Sequence, residues 1–427
     1  MASQASCRQG KASVSGASKS SRACFNRSSP PTPEPIRSAL LEGIGWWTDA
    51  YDAAGFIDAF RVEMLPEGAD PLDVRYNMVN WVDRATRGWA YGQQIVDPRT
   101  GEIVKGMVVL GSLRARQDIQ IFQALVGAAE LNSGGPNDPV KVALDRLAQL
   151  GAHEVGHTLG FAHNFAASTQ DRASVMDYPP PRIGLAEGKP DLSDAYAKGI
   201  GVWDVATVRW LYADAGERET AEAAARYRFV QDDNARAADT AQVWGGLWDD
   251  GADPTAELNR LMAVRAAALS RFGLDALSPA EPVANLRRRF VPLWLLHRYQ
   301  LVAAAKAIGG VEFAYSVKGD GREAASPVAA AQQRAALDAA GLRGRDRGAV
   351  RRLSQGQRQR CALARLALSQ SKPLWVLDEP FNALDTAATE WLAGLVRRRL
   401  ASGGIVVLTS HQAVPVDGVA DQITVAL

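Results

Sequence analysis

The stretch His153-Glu154-Val155-Gly156-His157-Thr158-Leu159-Gly160-Phe161-Ala162-His163 constrains this chain more than any other. On a helix, at ~100° per residue, residues four apart lie nearly above one another on one face. His153 and His157 can therefore grip one metal ion from the same side. Glu154 follows the first of them, where it can reach a water at the metal. Gly160 is free to take the left-handed conformation that ends a helix. The chain then turns back, and His163 can supply a third nitrogen. Three protein ligands leave one position open, the arrangement of a catalytic zinc rather than a structural one. The competing reading is a helix end with three core or surface histidines. It fits poorly, because the chain has only five histidines and three fall in this eleven-residue window. The extended pattern H-E-x-x-H-x-x-G-x-x-H is also far more specific than H-E-x-x-H alone.

The window resembles the signature of the metzincin proteases. Those enzymes carry a methionine turn beneath the zinc, and Ser174-Val175-Met176-Asp177-Tyr178 follows at a suitable distance. Its Ser-x-Met-x-Tyr form resembles the turn of astacin-like and serralysin-like enzymes. The resemblance implies that Met176 is the hydrophobic floor under the ligands. It also implies that Tyr178 brings a hydroxyl near the metal to stabilise an oxyanion; the alternative is an aromatic ring packed in the turn. From about Asp73 to Gly321 the text resembles bacterial zinc-dependent metalloproteases with an EcxA-like met-zincin domain. The stretches that carry this are Arg87-Gly88-Trp89, Asp97-Pro98-Arg99-Thr100-Gly101-Glu102, His153 to Asn164, Ala173 to Pro179 and Leu192-Ser193-Asp194-Ala195-Tyr196. This resemblance implies an α/β (α+β) zinc protease domain with a helical C-terminal subdomain. It also implies Zn2+ on His153, His157 and His163, Glu154 as catalytic base, and a peptide or protein as substrate. The resembled proteases are exported.

With 427 residues the chain has material for two or three domains. An apolar content of 47% and a net charge of +1 are ordinary for a soluble globular protein, and nothing points to nucleic acid. No apolar run approaches the ~20 residues of a transmembrane helix. Cys7, Cys24 and Cys361 are too sparse for a disulfide framework. Residues 1 to about 33 are Ser-rich and basic, with no acid before Glu34 and no apolar core of a secretory signal peptide. A disordered tail is expected, an organellar transit peptide being the alternative. Pro30-Pro31-Thr32-Pro33 reads as a stiff linker.

Ile36 to Phe60 has helical periodicity, and Val74 to Val82 looks like a strand. Gln93 to Val96 and Ile103 to Leu110 form an expected hairpin around the Asp97 to Gly101 turn. A strand exposed beside a zinc helix can take an extended peptide as an added strand. Gly106 to Gly111 is the candidate for that role, the alternative being an internal strand. Val140 to Gly160 should be one long helix with the metal site in its last two turns. Pro179-Pro180-Pro181 forces irregular backbone. Beyond residue 200 helices are expected, with Trp203, Trp210, Trp244, Trp248 and Trp294 in the core. Asp191, Asp194 and Asp204 read as solvated or capping residues.

A different text starts near residue 337. Leu353-Ser354-Gln355-Gly356-Gln357 leads into an apolar helix, Cys361 to Leu368. Leu374 to Leu377 is a strand ending in Asp378-Glu379, Ala383-Leu384-Asp385 follows, and Ile405 to Thr409 is a strand ending at Ser410-His411. In that order these resemble the signature loop, Walker B, D-loop and switch histidine of an ABC ATPase. The wording resembles the CcmA-type ATP-binding subunits of haem export in cytochrome c maturation. The resemblance implies that Asp378 serves magnesium, Glu379 polarises water, His411 senses the γ-phosphate, and Ser354 with Gly356 caps a partner's nucleotide. The sequence departs from the family in containing no G-x-x-x-x-G-K-[ST], so it lacks the loop that cradles phosphates. Mg-ATP is expected only if a partner supplies that loop. The chain thus reads as a tail and linker at 1–35, a met-zincin domain at 36–336, and a partial ABC ATP-binding domain at 337–427. The expected function is a zinc endopeptidase. The alternatives are an ABC-type ATP-binding subunit, or an inactive fusion of the two.

Overall fold

A computed structural model of the chain describes residues 21–25, 32–84, 89–212, 225–236, 240, 242–319, 321, 323, 325–339, 374–377, 380–381, 384 and 386–410. Residues 87 and 88 of the Arg87-Gly88-Trp89 stretch lie outside them. The fold is mixed α/β. Two compact units divide the chain, residues 1–304 with 312–326 and residues 305–311 with 327–427.

The first unit holds a five-stranded sheet of β1 (Ser21–Phe25), β2 (Phe60–Met64), β3 (Asn77–Val82), β4 (Tyr91–Val96) and β5 (Ile103–Gly111), in the order β2-β1-β3-β5-β4. Four strands are parallel and β4 runs antiparallel to β5. The β4–β5 hairpin closes as its turn residues dictate: Gly101 takes φ 76° and donates its N–H to the Asp97 carbonyl at 2.8 Å. Two expectations need correction. Ser21–Phe25 lies within the stretch expected to be a disordered tail, yet its backbone pairs with both β2 and β3. Ladder hydrogen bonds are made by main chain, so composition is a weak guide to which segment fills a gap between strands. Gly106 to Gly111 is internal, flanked by β3 and β4, and the edge beside the helix that carries the histidine motif is β4.

Helix α1 (Ile36–Ala53) stops where Gly55 takes φ 93°, and Phe60 opens β2 instead of extending the helix. Helix α2 (Ser112–Val126) follows β5, and α3 (Pro139–Thr158) carries the motif. Asp138 caps α3 by accepting from the Val140 N–H at 2.9 Å, and Pro139 fits the first turn, where a missing N–H costs nothing. The core joins Leu40, Ile44 and Trp47 of α1 to Leu147, Ala148, Ala152 and Val155 of α3, over Val79, Trp81, Val108 and Leu110 of the sheet. The two helices touch backbone to backbone at Gly43, where a Cβ would lie 2.0 Å from the Ala148 oxygen. Trp47 donates its indole N–H to the Ala152 carbonyl at 2.8 Å and stacks on Phe161. Truncating such a ring to Ala costs about 3–5 kcal/mol.

After α3 come a short hairpin of β6 (Gly184–Ala186) and β7 (Lys189–Asp191), then helices α4 (Val202–Tyr212), α5 (Asp232–Ala235), α6 (Pro254–Arg271) and α7 (Leu286–Trp294). A second core gathers Phe122, Leu125, Ile183, Leu192, Leu261, Val264 and Leu293. Of the five tryptophans expected in the core, Trp203 is buried, while Trp210, Trp244, Trp248 and Trp294 are half-buried. Guanidinium groups cover two of them, Arg228 over Trp244 and Arg265 over Trp294, each 4.5 Å from the ring centroid.

In the second unit, α8 (Ala330–Ala339) precedes β8 (Leu374–Leu377), α9 (Thr386–Ala401) and β9 (Ile405–Leu408). The two strands pair in parallel, Leu374 opposite Ile405, and Trp375 and Phe381 pack with Leu392, Leu395 and Val396 of α9. The helix expected at 361–368 lies outside the described residues, and so do Ser354, Gly356, Asp378, Glu379, Asp385 and His411. Among the described residues no helix is long and apolar enough to cross a membrane.

Candidate metal centre

Helical spacing sets His153 and His157 on one face of α3, with ring centroids 4.8 Å apart. Gly160 takes φ 89°, and the turn is closed by the Phe161 N–H on the Gly156 carbonyl at 3.0 Å. The returning chain brings the His163 ring to 5.1 Å from His153 and 4.5 Å from His157. One nitrogen from each of the three histidines lies within 4.8 Å of the others, and this is the one such group of metal-capable side chains among the described residues.

The hydrogen bonds decide what these nitrogens can do. The Nδ1 of His153 faces the Val175 carbonyl at 2.8 Å, that of His157 the Phe161 carbonyl at 2.9 Å, and that of His163 the Asp232 carboxylate at 2.8 Å. All three partners are acceptors, so each Nδ1 carries the proton and each Nε2 keeps its lone pair. The Nε2 atoms of His157 and His163 then face each other at 3.2 Å. Ligand nitrogens of a tetrahedral zinc stand about 3.3 Å apart, from Zn–N bonds of ~2.0–2.1 Å. Lone pairs that converge with no donor between them suit a cation, so the residues fit zinc. Burial, with the charges of His157 and His163, pushes His153 well below the usual imidazole range. Burial, then His163, brings His157 down to about 4. Both are neutral at physiological pH, the form that ligates a metal.

Glu154 is 6% exposed. Burial raises its carboxyl to about 7, against the opposing pull of Arg146 and of the Gly92 N–H. Gly92 is on β4 and packs so closely on α3 that a Cβ there would sit 2.0 Å from the Glu154 carbonyl oxygen. The edge strand is thereby pressed against the turn of α3 that carries Glu154.

The methionine turn sits under the same face. Met176 is buried, and its sulfur lies against Gly156 of α3, where a Cβ would come within 2.3 Å of it. The Val175 carbonyl that receives His153 also accepts from the Gln149 side chain at 3.1 Å. Asp204, expected to be a solvated or capping residue, is fully buried and holds the turn: its carboxylate accepts from the Ser174 hydroxyl at 2.5 Å and from the Val175 and Gly201 N–H groups at 2.9 Å. Tyr178 packs in the turn beside the histidines. Its ring packs 4.8 Å from His163 and 5.4 Å from His153, and its hydroxyl accepts from Arg236 at 3.0 Å.

Sequence reasoning missed Asp232 and Arg236. Asp232 opens α5, 69 residues after His163, and pairs with both His163 and Arg236. Burial opposes its charge, but the His163 and Arg236 contacts hold it down to about 2. Neither residue sits in a spacing that signals it.

Residues 135–342 match the family model described as Met-zincin. The curated proteins give a separate likeness. The chain is 53% identical over 93 residues to the cytochrome c biogenesis ATP-binding export protein CcmA of Albidiferax ferrireducens, covering 22% of this chain and 44% of that protein. It is 54% identical over 79 residues to that of Dechloromonas aromatica, covering 18% and 38%. For that of Pseudomonas aeruginosa the match is 48% over 89 residues, covering 21% and 43%. The chain therefore spans less than half the length of these curated relatives. The three convergent histidines, the helix-ending glycine and the methionine turn all lie inside residues 135–342, the stretch that is similar to the Met-zincin family.

Proposed function

We propose that the chain is a zinc endopeptidase. The observation that carries this is the convergence of three Nε2 lone pairs beside a buried glutamate at the end of α3. His153, His157 and His163 would hold the ion. When bound, zinc supplies Lewis acidity that polarises a peptide carbonyl and acidifies water. Glu154, raised to about 7, can take a proton from water and return it to the leaving amine near neutral pH. The Tyr178 hydroxyl, oriented by Arg236, can donate to the carbonyl oxygen as charge builds on it. Asp232 and the Val175 and Phe161 carbonyls keep the imidazoles in the ligating tautomer. The exposed side of β4 offers main-chain partners to an extended peptide. The test is cleavage of casein by the full chain, lost with a chelator and restored by zinc. Cleavage indifferent to the chelator would overturn the reading.

A second reading is favoured by the CcmA likeness: an ATP-binding subunit built with a partner that supplies the phosphate loop. Its candidate residues Ser354, Gly356, Asp378, Glu379, Asp385 and His411 fall in the text that carries the ABC motifs, which lacks that loop.

A further inference from the structure

Beside the metal centre lies a cluster of charge that the proposed reaction does not use. Arg146, seven residues before His153 on α3, is 4% exposed. Its Nη1 donates to the Gln149 side chain, and its Nε has no hydrogen-bond partner. Arg114 on α2 pairs with Asp118 at 2.8 Å and keeps 26% of its side chain exposed. Both guanidinium groups lie against the ring of Trp248, at 5.8 Å for Arg114 and 5.6 Å for Arg146. Asp118, Tyr196, Glu154 and His153 are the other charged or titratable groups facing Arg146. Asp118 is thus paired directly with Arg114, while Arg146 is bonded to the neutral Gln149 side chain and has an unused donor in the interior.

Trp248 connects this cluster to the metal centre. It holds φ 62°, a conformation that bulky residues rarely adopt, with its N–H on the Tyr178 carbonyl at 3.1 Å. Its ring is 5.2 Å from that of Tyr178, which itself packs on His153 and His163. The indole is therefore fixed between the tyrosine at the metal and the guanidinium pair. Trp248 and Arg114 are both half-buried, which leaves the cluster open on their side.

We propose that the Arg114–Arg146 pair, walled by Trp248, is a subsite for an acidic side chain of the substrate, so that the chain cleaves next to Asp or Glu. A carboxylate there supplies the acceptor that the Arg146 Nε lacks, in the forked geometry that guanidinium groups favour. The proposal rests on the peptidase reading, and its test separates the two. Paired peptides differing only by Glu or Gln beside the cleaved bond are compared in two ways. One is cleavage by the zinc-loaded full chain; the other is calorimetric binding to the full chain after zinc removal. The Glu peptide should be preferred by about tenfold or more in both, as expected for a charged hydrogen bond. Arg146→Met should abolish the preference and Arg146→Lys should keep part of it. Should Arg146→Met fail to fold, Arg114→Gln should reduce the preference with zinc content unchanged. Preferential binding of the Glu peptide with neither peptide cut would uphold the subsite and refute the peptidase reading. Equal binding and equal cleavage of the two by the wild-type chain would refute the subsite and leave the peptidase reading intact.

Discussion

Glu154 and His153 are neighbours whose proton affinities move in opposite directions for one reason: burial penalises the charged form of each. For Glu154 the consequence is measurable. Its folded value of about 7 lies above the ~4.3 of an unfolded glutamate, so the native state binds the proton more tightly. In metal-free protein its contribution to stability is fully present below about pH 4.3 and is lost as pH rises to about 7. Glu154→Gln has no such charge to bury. The stability of that variant relative to wild type, followed by thermal melting with a chelator, should therefore rise by up to a few kcal/mol between those pH values and then level off. A difference that stays flat with pH would mean Glu154 is solvated. The three histidines and Glu154 were legible in the sequence because helical geometry and one glycine turn bring them together locally. Asp232, Arg236 and Asp204 were not, because each meets its partner only through tertiary folding.

Among the elements, α3 is pinned by contacts too close for a side chain. Gly156 faces the Met176 sulfur and the Trp47 ring, where a Cβ would approach within 2.3 Å and 2.8 Å. Gly156→Ala should displace the methionine turn, destabilise by about 1–3 kcal/mol in denaturant titrations, and weaken zinc binding through the Val175 carbonyl. Unchanged stability and zinc affinity would show that Met176 is free to yield. The β4–β5 hairpin could be read from its Asp97 to Gly101 turn, since turn chemistry is local. Which strand forms the edge could not, because sheet order depends on pairings such as β3 with β5 that no local pattern encodes. The same holds for Ser21–Phe25, whose place between β2 and β3 is fixed by main-chain ladders.

At the scale of the whole chain, the two texts seen in the sequence correspond to two separate likenesses, Met-zincin over residues 135–342 and CcmA over 93 residues. The strands Leu374–Leu377 and Ile405–Leu408 were legible as short apolar runs, and they pair with each other under α9. Because the sequence contains no phosphate loop, the full chain alone should hydrolyse Mg-ATP no faster than its Glu379→Gln variant in a phosphate-release assay. Magnesium-dependent hydrolysis lost in that variant would overturn this expectation. The central claim is that His153, His157 and His163 hold a zinc ion which Glu154 uses to cut peptides. It is tested most directly by measuring zinc content and casein cleavage together in wild type and Glu154→Gln. The account predicts one zinc per chain in both proteins and at least a hundredfold loss of cleavage in the variant, the scale of a general-base contribution. Absence of stoichiometric zinc in wild type, or near-normal cleavage by Glu154→Gln, would contradict it.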